Sequence, residues 1–176
     1  ALANGVDLVL ELPFAYACSS AERFADGGVR LLQATGLDSQ LVFGSESGDL
    51  DRLRQAAEFL VPETPGFKDA LHACLAEGLS FPAARQKAME QVSGDSALAG
   101  LLSQPNNILA VEYLKAIRRL PSCRLRPVTI RRLGQDDRSE NLPGTGVLPG
   151  ASAIRMAVWQ ETQAHPEPLL ADLADR

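Results

Sequence analysis

The sequence predicts an α/β domain interrupted by a helical insertion, and three observations carry that expectation. Short apolar runs occur at "VDLVLELPF", "SQLVFG" and "CRLRPVTIRRLG", bounded by Gly and Pro as buried strands are. Between the second and third runs, residues 50–102 hold only helix-type patterns, broken at Pro62, Pro65, Gly78 and Gly94. The clearest helix, "NNILAVEYLKAIRR", then places Ala110, Val111, Leu114 and Ile117 on one face and Glu112, Lys115, Arg118 and Arg119 on the other.

Bulk properties limit the function classes. The 176 residues are 45% hydrophobic, enough to bury a sizeable core. A net charge of −5 argues against general attraction to nucleic acid, but the charge is uneven. Eight of the seventeen basic residues (Lys115, Arg118, Arg119, Arg124, Arg126, Arg131, Arg132, Arg138) lie between positions 115 and 138, opposed only by Asp136 and Asp137. Phosphate would suit such a segment, although a solvated face explains it as well. Cys18, Cys74 and Cys123 show neither disulfide nor metal-ligand spacing, which fits a reduced, cytoplasmic setting without a structural metal. No apolar run is long enough to span a bilayer. The opening "ALANG" lacks Met and reads like the end of a helix closed by Gly5, so the chain is expected to start inside a larger protein.

In chain order, the first run is apolar on both faces except for Asp7 and Glu11, as in a strand covered on both sides, and Pro13 ends it. Glu11 then lies either at a ligand-binding strand end or at a helix cap. A helix follows from Ser20 as N-cap to Gly36. Gly27 and Gly28 inside it cost about 1 kcal/mol each relative to Ala, which implies a close backbone approach or a break. The second strand leads into "GSESGD" and a helix at about Leu50, the type of βα turn in which open α/β sheets bind nucleotides.

Pro105 restricts Gln104, so the central helix is expected to start at about Ile108, with Asn106 and Asn107 either capping it or holding a nucleotide. Arg131 and Arg132 end the third strand, where planar guanidinium forks suit an anion. Residues 134–150 form a long Gly/Pro/Asp/Asn-rich loop, a candidate lid. "GASAIRMAVWQET" then opens a helix whose first turn contains Gly150, Ala151 and Ser152, with Arg155 one turn in, a good phosphate site. His72 and His165 have no partner that would make an acid–base pair.

Together "GVDLVLELPF", "FGSESGD", "QPNNILAVEYLKAI", "TIRRLG" and "GASAIR" resemble, in order and spacing, the bacterial tRNA(Met) cytidine acetate ligases, a branch of the HIGH-type nucleotidyltransferase superfamily. The resemblance implies a Rossmann-like domain that activates acetate with ATP as acetyl adenylate and acetylates N4 of the wobble cytidine of elongator tRNA(Met). It implies ATP contacts at Gly44, Asn106, Asn107, Arg131, Arg132, Ser152 and Arg155, admits Mg2+ beside ATP, and leaves Lys115, Arg118, Arg119, Arg124 and Arg126 as tRNA contacts. One hydroxyl, Ser152, stands where many superfamily members have three.

The family's Asn-Pro-Phe-His-Asn-Gly-His motif and the strand that carries it do not occur in the 176 residues. Catalytic imidazoles are therefore not expected here, and these residues are expected to correspond to the middle of a longer ligase and to be inactive alone. The expected division is an α/β nucleotide-binding part (1–49), the helical insertion (50–102), the remainder of the nucleotidyltransferase domain (103–160) and the start of a C-terminal helical region (161–176). The alternatives are a nucleotidyltransferase with another acceptor and a non-catalytic tRNA-binding module that uses the basic segment.

Overall fold

The computed structural model describes residues 2–133 and 151–164. The candidate lid at 134–150 and the tail from 165 onward lie outside them. The chain divides into two compact units, residues 1–132 and 133–176.

The first unit is built on two parallel strands, β1 (Gln40–Ser45) and β2 (Arg126–Arg131), in register from Gln40 opposite Arg126 to Ser45 opposite Arg131. Before β1 come α1 (Phe14–Ala17) and α2 (Ala21–Ala34). Between the strands come α3 (Leu50–Phe59), α4 (Pro65–Ala76), α5 (Phe81–Ser93), α6 (Ser96–Gly100) and α7 (Pro105–Arg119). Three of these starts carry a side-chain cap: Asp49 accepts from the amides of Asp51 and Arg52, Thr64 from that of Phe67, and Asp95 from that of Leu98. Gly94 closes α5 in the left-handed conformation.

One continuous core joins β1 to the helices, with Phe43, Leu53, Phe67, Met89, Leu102 and Val111 among its members. The inward face of β1 carries Leu41, Phe43 and Ser45, while Val42 and Gly44 point the other way. α2 and α3 pack on α7, and α4 packs on α5. In the second unit the one described helix is α8 (Ala151–Ala164).

Residues 6–12 correct an expectation, because they form no strand. Among the described residues only β1 and β2 pair, and Val6, Leu8, Val9 and Leu10 are exposed, Leu8 by 63%. Strand geometry exists only where a neighbour completes the hydrogen-bond ladder, and apolar sequence cannot supply one. Leu8, Leu10 and Leu12 lie along a surface groove beside Phe24, Leu31 and Tyr113.

Gly27 does mark a close approach. A Cβ there would fall 2.5–2.8 Å from Tyr16 Cγ, Cδ1 and Cβ, whereas one at Gly28 would sit 3.8 Å from Tyr113. Gly27→Ala is expected to destabilise the chain by about 1–3 kcal/mol, since overlap with a ring base outweighs the gain in helix propensity. Gly28→Ala is expected to be neutral or to stabilise by up to about 1 kcal/mol. Urea unfolding of the two variants side by side checks both signs.

The face of α7 expected to be solvated is also corrected. Glu112 and Lys115 are 2% and 4% exposed, and α2 packs on α7 beside them. Arg85 of α5 meets Glu112 at 2.7 Å, Lys115 meets Glu112 at 2.7 Å, and Glu22 of α2 joins Lys115 and Arg119 at the edge. Charges paired this way can occupy an interior position that helical periodicity assigns to the surface.

The hydrogen bond from Arg119, helped by the charges of Lys115 and Arg119 and opposed by partial burial, holds the Glu22 carboxyl below the usual carboxylate range. A folded-state value below the unfolded one gives stability that is complete above about pH 4.3 and is lost as pH falls through the folded value. The stability difference between wild type and Glu22→Gln is therefore expected to shrink as pH drops below about 4, as read from urea midpoints at pH 7, 4 and 3.

Candidate functional site

The loop that leaves the carboxyl end of β1 adjoins the first turn of α7. Gln104 is the N-cap of α7 and makes no side-chain cap bond, and the helix starts at Pro105 rather than at about Ile108. Asn106 and Asn107 are thus inside the first turn, with amides that have no partner within the helix. Glu46, from the loop after β1, supplies the partner. Its Oε1 accepts from the Asn106 amide at 3.1 Å and from Asn106 Nδ2 at 2.7 Å, and its Oε2 accepts from the Asn107 amide at 2.7 Å. In return, Asn107 Oδ1 accepts from the Ser47 amide at 3.1 Å. A carboxylate at a helix N-terminus is favoured by both the free N–H groups and the macrodipole.

The loop is fixed from below as well. Ser45 is fully buried; its Oγ lies 2.7 Å from Thr129 Oγ1 on β2 and accepts from the Gly48 amide at 3.0 Å. The Arg132 amide donates to the Ser45 carbonyl at 2.9 Å, which carries the chain just past β2 alongside the loop.

Two glycines permit the approach. The Arg132 side chain lies over Gly44, where a Cβ would be 3.1 Å from its Cγ. Gly48 has φ +65°, and a Cβ on it would fall 2.7 Å from Arg131 Cβ, so a side chain is excluded there on two grounds.

Gly44, Asn106, Asn107, Arg131 and Arg132 therefore belong to one neighbourhood, linked through Ser45, Glu46 and Ser47. The two arginines are exposed, and Asn107 is buried. The arrangement can present a guanidinium fork and a polar helix start to one anionic, amide-reading ligand.

Ser152 and Arg155 are one turn apart on α8, where Arg155 Nη2 donates to Ser152 Oγ at 3.1 Å, and with Met156 and Trp159 they line a surface cleft. Of the basic residues read as tRNA contacts, Lys115 is buried and ion-paired and so presents no charge to a partner. Arg118 pairs with Glu58, Arg119 with Glu22 and Arg126 with Asp38, while Arg124 is exposed. No group of three metal-ligating side chains gathers among the described residues. No described helix is long and apolar enough to cross a membrane.

Glu46, Ser45 and Thr129 escaped the sequence reading. An acid between two serines in a βα turn was the available signal, but its target, the start of a helix some sixty positions on, is set by tertiary contact.

A model of the HIGH nucleotidyl transferase family matches residues 1–174. The tRNA(Met) cytidine acetate ligase of Caldanaerobacter subterraneus subsp. tengcongensis is 44% identical over 161 residues, 92% of this chain and 39% of that protein. The protein of the same name from Acetivibrio thermocellus is 41% identical over 172 residues, 97% of this chain and 41% of that protein. Among solved structures, apo Thermotoga maritima TmcAL matches with a TM-score of 0.81 at 34% identity, over 93% of this chain and 39% of that one. TmcAL bound with alpha-thio ATP matches with a TM-score of 0.75 at 34% identity, over 92% of this chain and 37% of that one. The chain spans about two fifths of the length of the curated relatives it matches.

Proposed function

Because the chain belongs to the HIGH nucleotidyl transferase family, we propose that it forms the nucleotide-gripping part of an ATP-dependent ligase that acetylates tRNA. Acetate would be the acyl donor and elongator tRNA(Met) the acceptor. A carboxylate oxygen of acetate attacks the α-phosphorus of ATP, pyrophosphate leaves, and the acetyl adenylate passes its acyl group to N4 of the wobble cytidine with release of AMP. The names of the relatives and the alpha-thio ATP in the TmcAL structure support this reading. The cytoplasm is the proposed compartment, in keeping with three free cysteines.

The single observation that carries the proposal is the gathering of Gly44, Asn106 and Arg132 about the carboxyl end of a parallel strand pair, where open α/β sheets bind ligands. In the proposed roles, Gly44 lets the nucleotide lie against the backbone. Asn106 and Asn107 read the nucleoside from the helix start. Arg131 and Arg132 neutralise phosphate oxygens, and a phosphate contact is likewise the proposed role of Ser152 and Arg155, taken by themselves on α8. Mg2+ would accompany the triphosphate as part of the substrate rather than be held by a protein cage. Arg118, Arg119, Arg124 and Arg126 remain the proposed tRNA contacts.

Calorimetric titration with a non-hydrolysable ATP analogue tests the assignment. Asn106→Ala is expected to weaken binding by about tenfold, which is about 1.4 kcal/mol. Equal affinity in the two proteins removes Asn106 from the site, and no binding by the wild type removes the nucleotide from the proposal.

A further inference from the structure

Thr129 opens the "TIRRLG" segment of β2, and the nucleotide assignment gives it no role. It is half-buried and stands opposite Phe43 in the parallel ladder, so its side chain lies on the same inward face as Phe43 and Ser45.

The single hydrogen on each hydroxyl fixes the direction of the bonds here. Thr129 Oγ1 donates to the Phe43 carbonyl at 3.3 Å. The contact of 2.7 Å between the Thr129 and Ser45 hydroxyls therefore runs the other way, with Ser45 Oγ as donor. Ser45 Oγ in turn accepts from the Gly48 amide at 3.0 Å. A one-directional relay results, from the Gly48 amide through the Ser45 and Thr129 hydroxyls to the Phe43 carbonyl, and hydrogen bonds in such a series polarise one another.

The relay ties down both ends of the loop that holds the start of α7. Between Ser45 and Gly48 lie Glu46, which accepts from Asn106 and Asn107, and Ser47, whose amide donates to Asn107 Oδ1. Ser45 is fully buried, so water does not replace Thr129 as its acceptor. Without the threonine hydroxyl the Ser45 hydrogen is buried with no acceptor, and turning the side chain to relieve it takes Oγ away from the Gly48 amide.

We infer that Thr129 is a positioning residue. From the neighbouring strand, and through Ser45 rather than through the ligand, it sets the loop that closes the start of α7, and by way of Glu46 it sets nucleotide affinity. The affinity rests on the nucleotide reading above, whereas the setting of the loop does not.

Calorimetric titration with the non-hydrolysable ATP analogue and amide hydrogen exchange test the two parts. Thr129→Val keeps the shape of the side chain and loses the hydroxyl. It is expected to weaken binding about tenfold and to speed exchange of the Gly48, Asn106 and Asn107 amides about tenfold. Thr129→Ser, which keeps the hydroxyl and loses the methyl, is expected to stay within about twofold of wild type in both measurements. A role in packing alone gives the reverse order, because serine leaves the larger void. In the Glu46→Ala background Thr129→Val is expected to cost less than about twofold in affinity, since the loop has then lost its main hold on α7. Ser45→Ala breaks the relay one link earlier, is expected to repeat the effects of Thr129→Val, and serves if that variant fails to fold. Unchanged amide exchange or affinity in Thr129→Val, an equal or larger loss in Thr129→Ser, or losses that add to those of Glu46→Ala would each overturn the inference. Absence of binding by the wild type removes the nucleotide reading instead, and the exchange rates then decide on the loop by themselves.

Discussion

Glu112→Ala is expected to destabilise the protein by about 3–5 kcal/mol, the usual cost of removing one member of a buried ion network. Glu112 is 2% exposed and holds Arg85 and Lys115 at 2.7 Å each. Its removal leaves two cations in the interior of a helix packing, with only Glu22 of α2 near Lys115. Urea unfolding monitored by circular dichroism measures the loss. Replacing Arg85, Glu112 and Lys115 together with Met, Leu and Met is expected to recover most of it, because no uncompensated charge then remains. A loss below about 1 kcal/mol for Glu112→Ala would mean that water reaches the network and screens it.

Glu46→Ala is expected to weaken binding of the ATP analogue by about 100-fold, equivalent to about 2.8 kcal/mol. The Glu46 carboxylate accepts three hydrogen bonds from Asn106 and Asn107, and bonds to a charged acceptor are worth about 1.5–3 kcal/mol each. Part of that stabilisation fixes the side chain proposed to read the nucleoside. Without it, Asn106 must be ordered at the moment of binding, and the entropy is charged to affinity. Glu46→Gln keeps an acceptor of the same shape and is expected to fall between wild type and Ala in the same titration. Unchanged affinity in Glu46→Ala would show that the clasp between loop and helix serves the fold alone. Tighter binding would show that Glu46 competes with phosphate for the helix start.

Particular elements show what was legible in the sequence. The pattern of β1, the helices between Pro62, Pro65, Gly78 and Gly94, and β2 with Arg131 at its end and Arg132 just past it all follow from period and punctuation, which are local. Gly27 and Gly28 were legible together as a close approach or a break because a helical glycine without a packing reason is costly, but that the approach is at Gly27 and comes from Tyr16 was not. Residues 6–12 were misjudged because an apolar run reports hydrophobicity, while a strand also needs a pairing edge. Glu112 and Lys115 were misjudged because a charge on a helix reads as solvated unless its partner is known, and Arg85 is twenty-seven positions away.

The order of elements from β1 onward, the glycine that opens the turn after β1, the arginines at the end of β2 and the likeness to one family were determined by sequence alone, since each depends on residues close together in the chain or on their succession along it. Only the tertiary structure decided that Glu46 closes the start of α7, that Arg132 lies across Gly44, and that three charges share the interior between α5 and α7. Hydrogen bonds and ion pairs act over about 3 Å of space and take no account of separation along the chain, so which acid meets which helix start is fixed when the helices pack against the strands.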